Sequence, residues 1–322
     1  MIGHRSLAFF LPLGLGCTLS LPATAAPYPA RPIKIIVPFA PGSGADAIIR
    51  RLGARLAEHM QQSVVVENLA GANGTIGLGA AARAPADGYT LVYASNSTMA
   101  AAPLMYKKLP YAPSDLVSIA RTGNFPSVFL VQESSPIKTL DDLIRHAREK
   151  PGSLVYGYAQ ATAFAGGESF KSANDLKIEG IAYKAGSTAM TDLLSGRLPL
   201  YVCDFVTAYP QLKAGKVRGL TVTSSKRIAA WPSTPTLAES IPGSVDIFGW
   251  GVLAAPRGTS QAIIETLNTQ VNKVLAEPAI QEFYQSIGAE LVPSTPQESE
   301  SFVQDEMRKW ERVLLAAGVK PE

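Results

Sequence analysis

Short apolar runs rich in β-branched residues alternate with amphipathic stretches along this whole 322-residue chain. That alternation confines it to α/β architecture, with sheets covered by helices. The first unit is the clearest. Ile33-Lys34-Ile35-Ile36-Val37 reads as a strand, Pro38 to Gly44 breaks it, and Ala45 onward carries the helical stripe Ile48, Ile49, Leu52, Leu56 and Met60. A strand, a Gly-rich turn and a helix in that order aim backbone N–H groups at one spot. The helix dipole adds partial positive charge there, so the spot suits an anion. The pattern recurs. Ser63 to Glu67 leads through Ala70-Gly71-Ala72-Asn73-Gly74 into Ile76 to Ala84, and strand Tyr89 to Tyr93 runs into Ser95-Asn96-Ser97-Thr98 at the start of another helix.

The N-terminus belongs to a different class. His4 and Arg5 precede the apolar run Leu7 to Leu21, and Ala23-Thr24-Ala25 fits small-x-small cleavage, so residues 1–25 read as a secretory signal peptide. Cys17 would suit a lipoprotein poorly, because Gly14 stands where an aliphatic residue is wanted. Its removal leaves one cysteine, Cys203, in the apolar run Leu200 to Cys203, where a buried inert thiol is expected. The remaining chain has no charge-free run long enough for a membrane helix. With 47% hydrophobic residues it can build one large or two ordinary cores. Loss of Arg5 lowers the 29 Lys and Arg to 28, against 26 Asp and Glu, which argues against a nucleic-acid binder.

Near Val128-Phe129-Leu130-Val131 the chain is expected to cross into a second domain. Thr139 reads as the N-cap of Leu140 to Arg148, with Asp142 completing a capping box. Strands follow at Ser153 to Tyr156, Leu200 to Cys203 and Val217 to Thr223, with a helix opening at Ser187. Trp250 to Ala254 is a return strand. Thr259 should cap the long helix to Leu275, and two more helices, Ala279 to Ile287 and Glu298 to Leu315, close the chain. Those helices need a sheet to cover, which assigns them to the first domain. The expected division is 26–127 with 254–322 as lobe 1 and 128–253 as lobe 2, with a ligand cleft at the strand C-termini.

Several stretches together resemble the Bug family, periplasmic solute-binding proteins related to the tripartite tricarboxylate transporter receptor (TctC-like). They are Tyr28 to Ile33, Val37 to Gly42 with Asp46, Val64 to Asn68, Asp87 to Leu91 and Leu109-Pro110-Tyr111. Pro151 to Leu154, Tyr183-Lys184, Ala214 to Arg218 and Val222-Thr223-Ser224 continue the match. The resemblance implies a type II-like Venus flytrap: two α/β lobes, mixed and mostly parallel sheets flanked by helices, and a hinge. It implies capture of a small carboxylate, whether a di- or tricarboxylate, an acidic amino acid or an aromatic acid. The partners would be tripartite transporter membrane components or, alternatively, a sensor kinase domain. A periplasmic monomer without metal or cofactor is expected.

The resemblance also implies which loops hold the ligand. In the first lobe they match Phe39, Ala40, Gly42, Ser43, Gly44, Ala45 and Asp46, then Ser95, Asn96, Ser97 and Thr98. In the second they match Ala159, Gln160 and Thr162, then Gly186, Ser187 and Thr188, then Asp204, Phe205 and Val206. The chain departs from the family at Gly42-Ser43-Gly44, where paired glycines are usual, at Tyr158 to Phe164, which lacks a His, and at Ala185-Gly186. Asp46 is expected to steady the helix start or brace its loop, since a carboxylate facing an anion repels it. Ser187 and Asp204 double as candidate N-caps. Phe164, Phe205 and Trp250 are candidate cleft aromatics or core residues.

No catalytic set accompanies these loops. GxSxG, Walker, HExxH and paired CxxC motifs are all missing from the sequence. His59 and His146 fall on helices away from strand ends. A Ser–Lys hydrolase built on Ser187 and Lys184 is the sharpest enzymatic alternative, and the binding protein is the reading adopted.

Overall fold

A computed structural model of the chain describes residues 28–241, 246–316, 318 and 319. The expected leader at 1–25, with Cys17, lies outside them. The strands are β1 Ile33–Val37, β2 Val64–Asn68, β3 Thr90–Ser95, β4 Leu116–Gln132, β5 Val155–Tyr158, β6 Glu179–Ala182, β7 Leu200–Asp204, β8 Val217–Val222 and β9 Phe248–Pro256. The helices are α1 Gly44–Met60, α2 Thr75–Ala82, α3 Ala102–Met105, α4 Leu140–Glu149, α5 Ala161–Ala173, α6 Gly186–Leu194, α7 Phe205–Lys213, α8 Leu237–Ser240, α9 Gln261–Leu275, α10 Pro278–Ser286 and α11 Pro296–Ala316.

All nine strands join in the order β2-β1-β3-β9-β4-β7-β5-β6, with β8 also on β4. Pairing is parallel among the outer strands, β1 with β2 and β3, and β5 with β6 and β7. It is antiparallel around β4 and β9. The 17-residue β4 belongs to both lobes. From Leu116 to Pro126 it pairs with β9, and from Ser127 onward it pairs with β7 and β8. Pro126 has no N–H to continue a ladder, so the switch of partners falls where the backbone has least to lose.

Successive strand residues point to opposite faces, and along the inner strands both faces are covered. Ile33, Ile35 and Val37 face a core shared with α1, α9 and α10, whereas Ile36, Val92 and Ala94 face one shared with α2 and α11. In the second lobe Phe129 and Val131 pack under α4 and α5, and Val128 and Leu130 under α6 and α7. The C-terminal helices thus cover the first sheet, as the sequence predicts. The capping box of Thr139 and Asp142 forms as expected.

Three expectations shift. The helix expected from Thr259 is capped by Ser260, whose Oγ accepts from the Ile263 amide, while the Thr259 hydroxyl donates to the Pro256 carbonyl. Helix α6 is capped at Ala185 with no side-chain bond, so Ser187 lies one turn position inside it. Phe248 to Leu253 pair with β4 and β3 in the first sheet, although the sequence reading carried lobe 2 through residue 253.

The sheet is tightly fitted beside the cleft. A Cβ at Gly251 would lie 2.3 Å from Tyr93 Cε2 and 2.6 Å from Thr122 Oγ1. Gly251→Ala should therefore lower unfolding free energy by about 1–3 kcal/mol, the usual cost of overpacking a core. Urea denaturation measures it, and an unchanged midpoint would show that the strands relax freely.

Candidate functional site

The chain reverses before α1 at Gly42, whose φ of +78° is open to glycine. Ser43 caps the helix, with Oγ accepting from the Asp46 amide at 3.3 Å. Asp46 then braces the loop from inside. Its Oδ2 accepts from the Gly42 amide at 2.9 Å, and its Oδ1 accepts from Asn68 Nδ2 at 2.8 Å and pairs with Arg50 Nε at 2.9 Å. Burial works against the Asp46 anion. The Gly42 amide, Asn68 and Arg50 outweigh it and hold the carboxyl below its ordinary range. With the Gly42 and Asp46 amides committed, the first-turn amides of Gly44 and Ala45 remain open at a helix N-terminus.

The end of β3 is built differently. Thr98 Oγ1 accepts from the Ser95 amide and donates to the Ser95 carbonyl, closing the turn on itself. Thr98 is 0% exposed and its role is structural. Ser97–Ala101 form a π-helical turn leading into α3. Asn96 reaches outward instead: its Oδ1 accepts from the Trp250 amide at 3.2 Å, and its Nδ2 donates to Thr162 Oγ1 at 2.5 Å. One side chain therefore joins β3, β9 and helix α5 of the second lobe.

The second lobe presents helix N-termini to the same space. Helix α5 begins after Gln160 with no side-chain cap, while α7 begins at Asp204. Asp204 Oδ1 accepts from the Thr207 amide at 2.8 Å and Oδ2 from the Thr207 hydroxyl at 2.9 Å. Burial nevertheless pushes the Asp204 carboxyl up, against those two bonds. The lobes touch here, since a Cβ at Gly44 would sit 3.2 Å from Asp204 Oδ1 and 3.3 Å from Val206 Cβ.

Between the lobes lies a small chamber of about 50 Å³. Ten of the expected residues line it: Phe39, Gly44, Ala45, Ser95, Asn96, Ser97, Gln160, Thr162, Asp204 and Val206. An adjoining groove of about 580 Å³ takes Ala40, Gly42, Ser43, Ala159, Gly186 and Ser187. Asp46, Thr98, Thr188 and Phe205 line neither. Asp46 and Thr98 serve the loops from behind, Thr188 is exposed, and Phe205 is buried in the second-lobe core against Tyr209. Of the aromatic candidates, Trp250 does line the chamber. Its indole Nε1 donates to Glu306 Oε2 at 2.9 Å. Ser187 and Lys184 share the groove, but no hydrogen bond joins them among the described residues.

Sequence reasoning missed Ile48, Tyr93, Phe125, Ser127 and Gly249, which also line the chamber. Ser127 is the informative one. It is 1% exposed, and its Oγ has no hydrogen-bond partner; the buried Ser95 Oγ is orphaned in the same way. A lone serine at the apolar β4 crossing was the available signal. Among the described residues no Lys, Arg or His lines the chamber. Its donors are open helix amides and unsatisfied hydroxyls, a set that accepts an anion without a counter-charge.

The family model for the tripartite tricarboxylate transporter family receptor matches residues 48–319. Protein BugT of Bordetella pertussis is 34% identical over 308 residues, covering 94% of each chain. Among solved structures, R. palustris Rpa4515 with adipate superposes with a TM-score of 0.88 at 33% identity, covering 92% of this chain and 100% of that one. MatC from Rhodopseudomonas palustris with bound malate gives 0.81 at 28% identity, covering 89% and 100%.

The Asp46 brace has a pH signature. Its folded pKa is depressed, so its stabilisation is present above about pH 4, the ordinary carboxylate range, and is lost as pH falls through the folded value. Asp46→Asn should be less stable than the parent at pH 7, with the gap closing toward pH 3. Equal gaps at both values in urea titrations would remove the anion from the loop's stability.

Proposed function

This chain belongs to the tripartite tricarboxylate transporter receptor family, and from that premise we propose that it captures a small carboxylate in the periplasm for the membrane components of such a transporter. In this reading residues 1–25 direct export, and the protein binds and releases its ligand without chemical change. The lobes follow the strand pairing, with residues up to 126 and from 248 forming the first and 127–247 the second. The neighbours solved with adipate and malate supply the ligand class.

One observation carries the proposal. Open amides at the N-termini of α1 and α5 and two orphaned hydroxyls border one chamber that has no basic side chain among the described residues. Taking a carboxylate from water costs several kcal/mol. Hydrogen bonds to a charged group return about 1.5–3 kcal/mol each. The amides of Gly44 and Ala45 with the hydroxyls of Ser95 and Ser127 would thus offset the cost, and the α1 dipole adds about 0.3–2 kcal/mol. Closure brings the α5 N-terminus and Thr162 over the ligand and excludes water. Asp204 is the one carboxylate lining the chamber. An incoming anion pushes its pKa further in the direction burial already does, and a protonated Asp204 becomes a donor.

A thermal-shift screen with adipate, malate, tricarboxylates, acidic amino acids and aromatic acids tests the function. A ligand at one hundred times its Kd adds about 2.7 kcal/mol of stability. No shift with any carboxylate, from protein shown by mass spectrometry to be ligand-free, would overturn the proposal. Ser127→Ala should leave the unliganded melting temperature unchanged or slightly higher, because the orphaned hydroxyl stabilises nothing. It should weaken carboxylate binding roughly tenfold or more by calorimetry. Asp204→Asn retains the cap acceptor and removes the repelling charge, so it should tighten binding of a plain carboxylate. Unaltered affinity would place Asp204 out of the ligand's reach.

A further inference from the structure

A second chamber, of about 400 Å³, shares the lining residues Ser97 and Gln160 with the first. Its walls are aromatic and come from both lobes: Tyr106 from the first, and Tyr158, Phe164 and Tyr183 from the second. Tyr158 and Phe164 stand with ring centroids 5.0 Å apart. The Tyr106 hydroxyl accepts from Asn73 Nδ2 at 2.7 Å, and the Tyr183 hydroxyl donates to Asp192 Oδ2 at 3.0 Å. The Tyr183 proton is committed to Asp192 and Tyr106 keeps one O–H, so most of what the two residues offer a ligand is ring surface. Among the described residues no Asp, Glu, Lys, Arg or His lines this chamber. A second carboxylate entering it would be desolvated among rings, whereas a planar apolar body would find faces and edges to pack on.

We infer that the ligand is an aromatic carboxylate, with its carboxylate at the Gly44 and Ala45 amides and its ring between Tyr106 and the Tyr158, Phe164 and Tyr183 wall. This rests on the carboxylate reading of the first chamber and narrows it. The ring chamber sets the choice among acids, and the helix N-termini set the charge. An aliphatic diacid satisfies the first chamber and leaves the second to water.

Calorimetry on the purified mature protein, with benzoate and phenylacetate against adipate and malate, tests the inference. At least one aromatic acid should bind ten or more times tighter than either diacid. Tyr158→Ala and Phe164→Leu should each weaken the aromatic acid about tenfold and the diacids less than twofold. Tighter binding of a diacid than of both aromatic acids would overturn the inference while leaving the carboxylate reading intact. Equal weakening of both classes by the variants would do the same. Binding by none of the four acids would overturn the inference, and the carboxylate reading would then stand or fall on the wider screen. The parent comparison decides the matter alone if a variant fails to fold.

Discussion

Everything about this cleft depends on one strand serving two sheets. β4 gives its first eleven residues to pairing with β9 and the rest to β7 and β8, and the exchange falls at Pro126 and Ser127. Had β4 stopped at Pro126, the second sheet would need another centre and Ser127 would not stand at the floor of the chamber. The two bulges in the β4–β9 ladder, between Ser118 and Ala120 and between Arg121 and Gly123, bend the strand before it crosses. Asn124 secures the bend, exchanging backbone hydrogen bonds with Glu290 and donating from its side chain to Glu290 Oε2. The hinge side of the cleft is thus fixed by backbone, and the loops need only present donors to it.

Those donors solve a specific electrostatic problem. A cation in the chamber would bind any anion and would itself need a partner when the lobes stood open. Helix N-termini avoid this, because their open amides are solvated when exposed and already oriented when covered. The sole acid at the wall is moderated by Thr207, which donates both its amide and its hydroxyl to Asp204. Asp46 shows the complementary arrangement, an ionised carboxyl placed behind the loop, where it stiffens the donors without facing the ligand.

Much of this could be read from the chain. The strand, turn and helix at 33–60 follow from β-branched residues, Gly42 and a stripe at helical spacing, and the brace by Asp46 follows from its place in the first turn. The loop at 39–45 was recognisable as a Gly-rich turn between strand and helix, and that at 95–97 because polar residues end an apolar strand. Helix α5 was hidden by Gly166-Gly167, poor helix formers. A Cβ at Gly167 would lie 2.3 Å from the Tyr156 ring, so packing across the lobe demands what propensity disfavours. The double role of β4 was hidden by Arg121, Asn124 and Pro126, which interrupt its apolar pattern. Ser127 had only its place in an apolar run to mark it, and that its hydroxyl is unpartnered is a property of its surroundings that no sequence shows. Phe205 misled because an aromatic beside a capping acid looks alike whether it turns to the cleft or to the core.

Asn96 is held on one side by the Trp250 backbone and on the other by Thr162 across the lobes. That second bond contains no ligand atom, yet it ties β3 to α5, and separating those two elements breaks it. Part of what holds the lobes together therefore belongs to the receptor alone and is the same for every cargo.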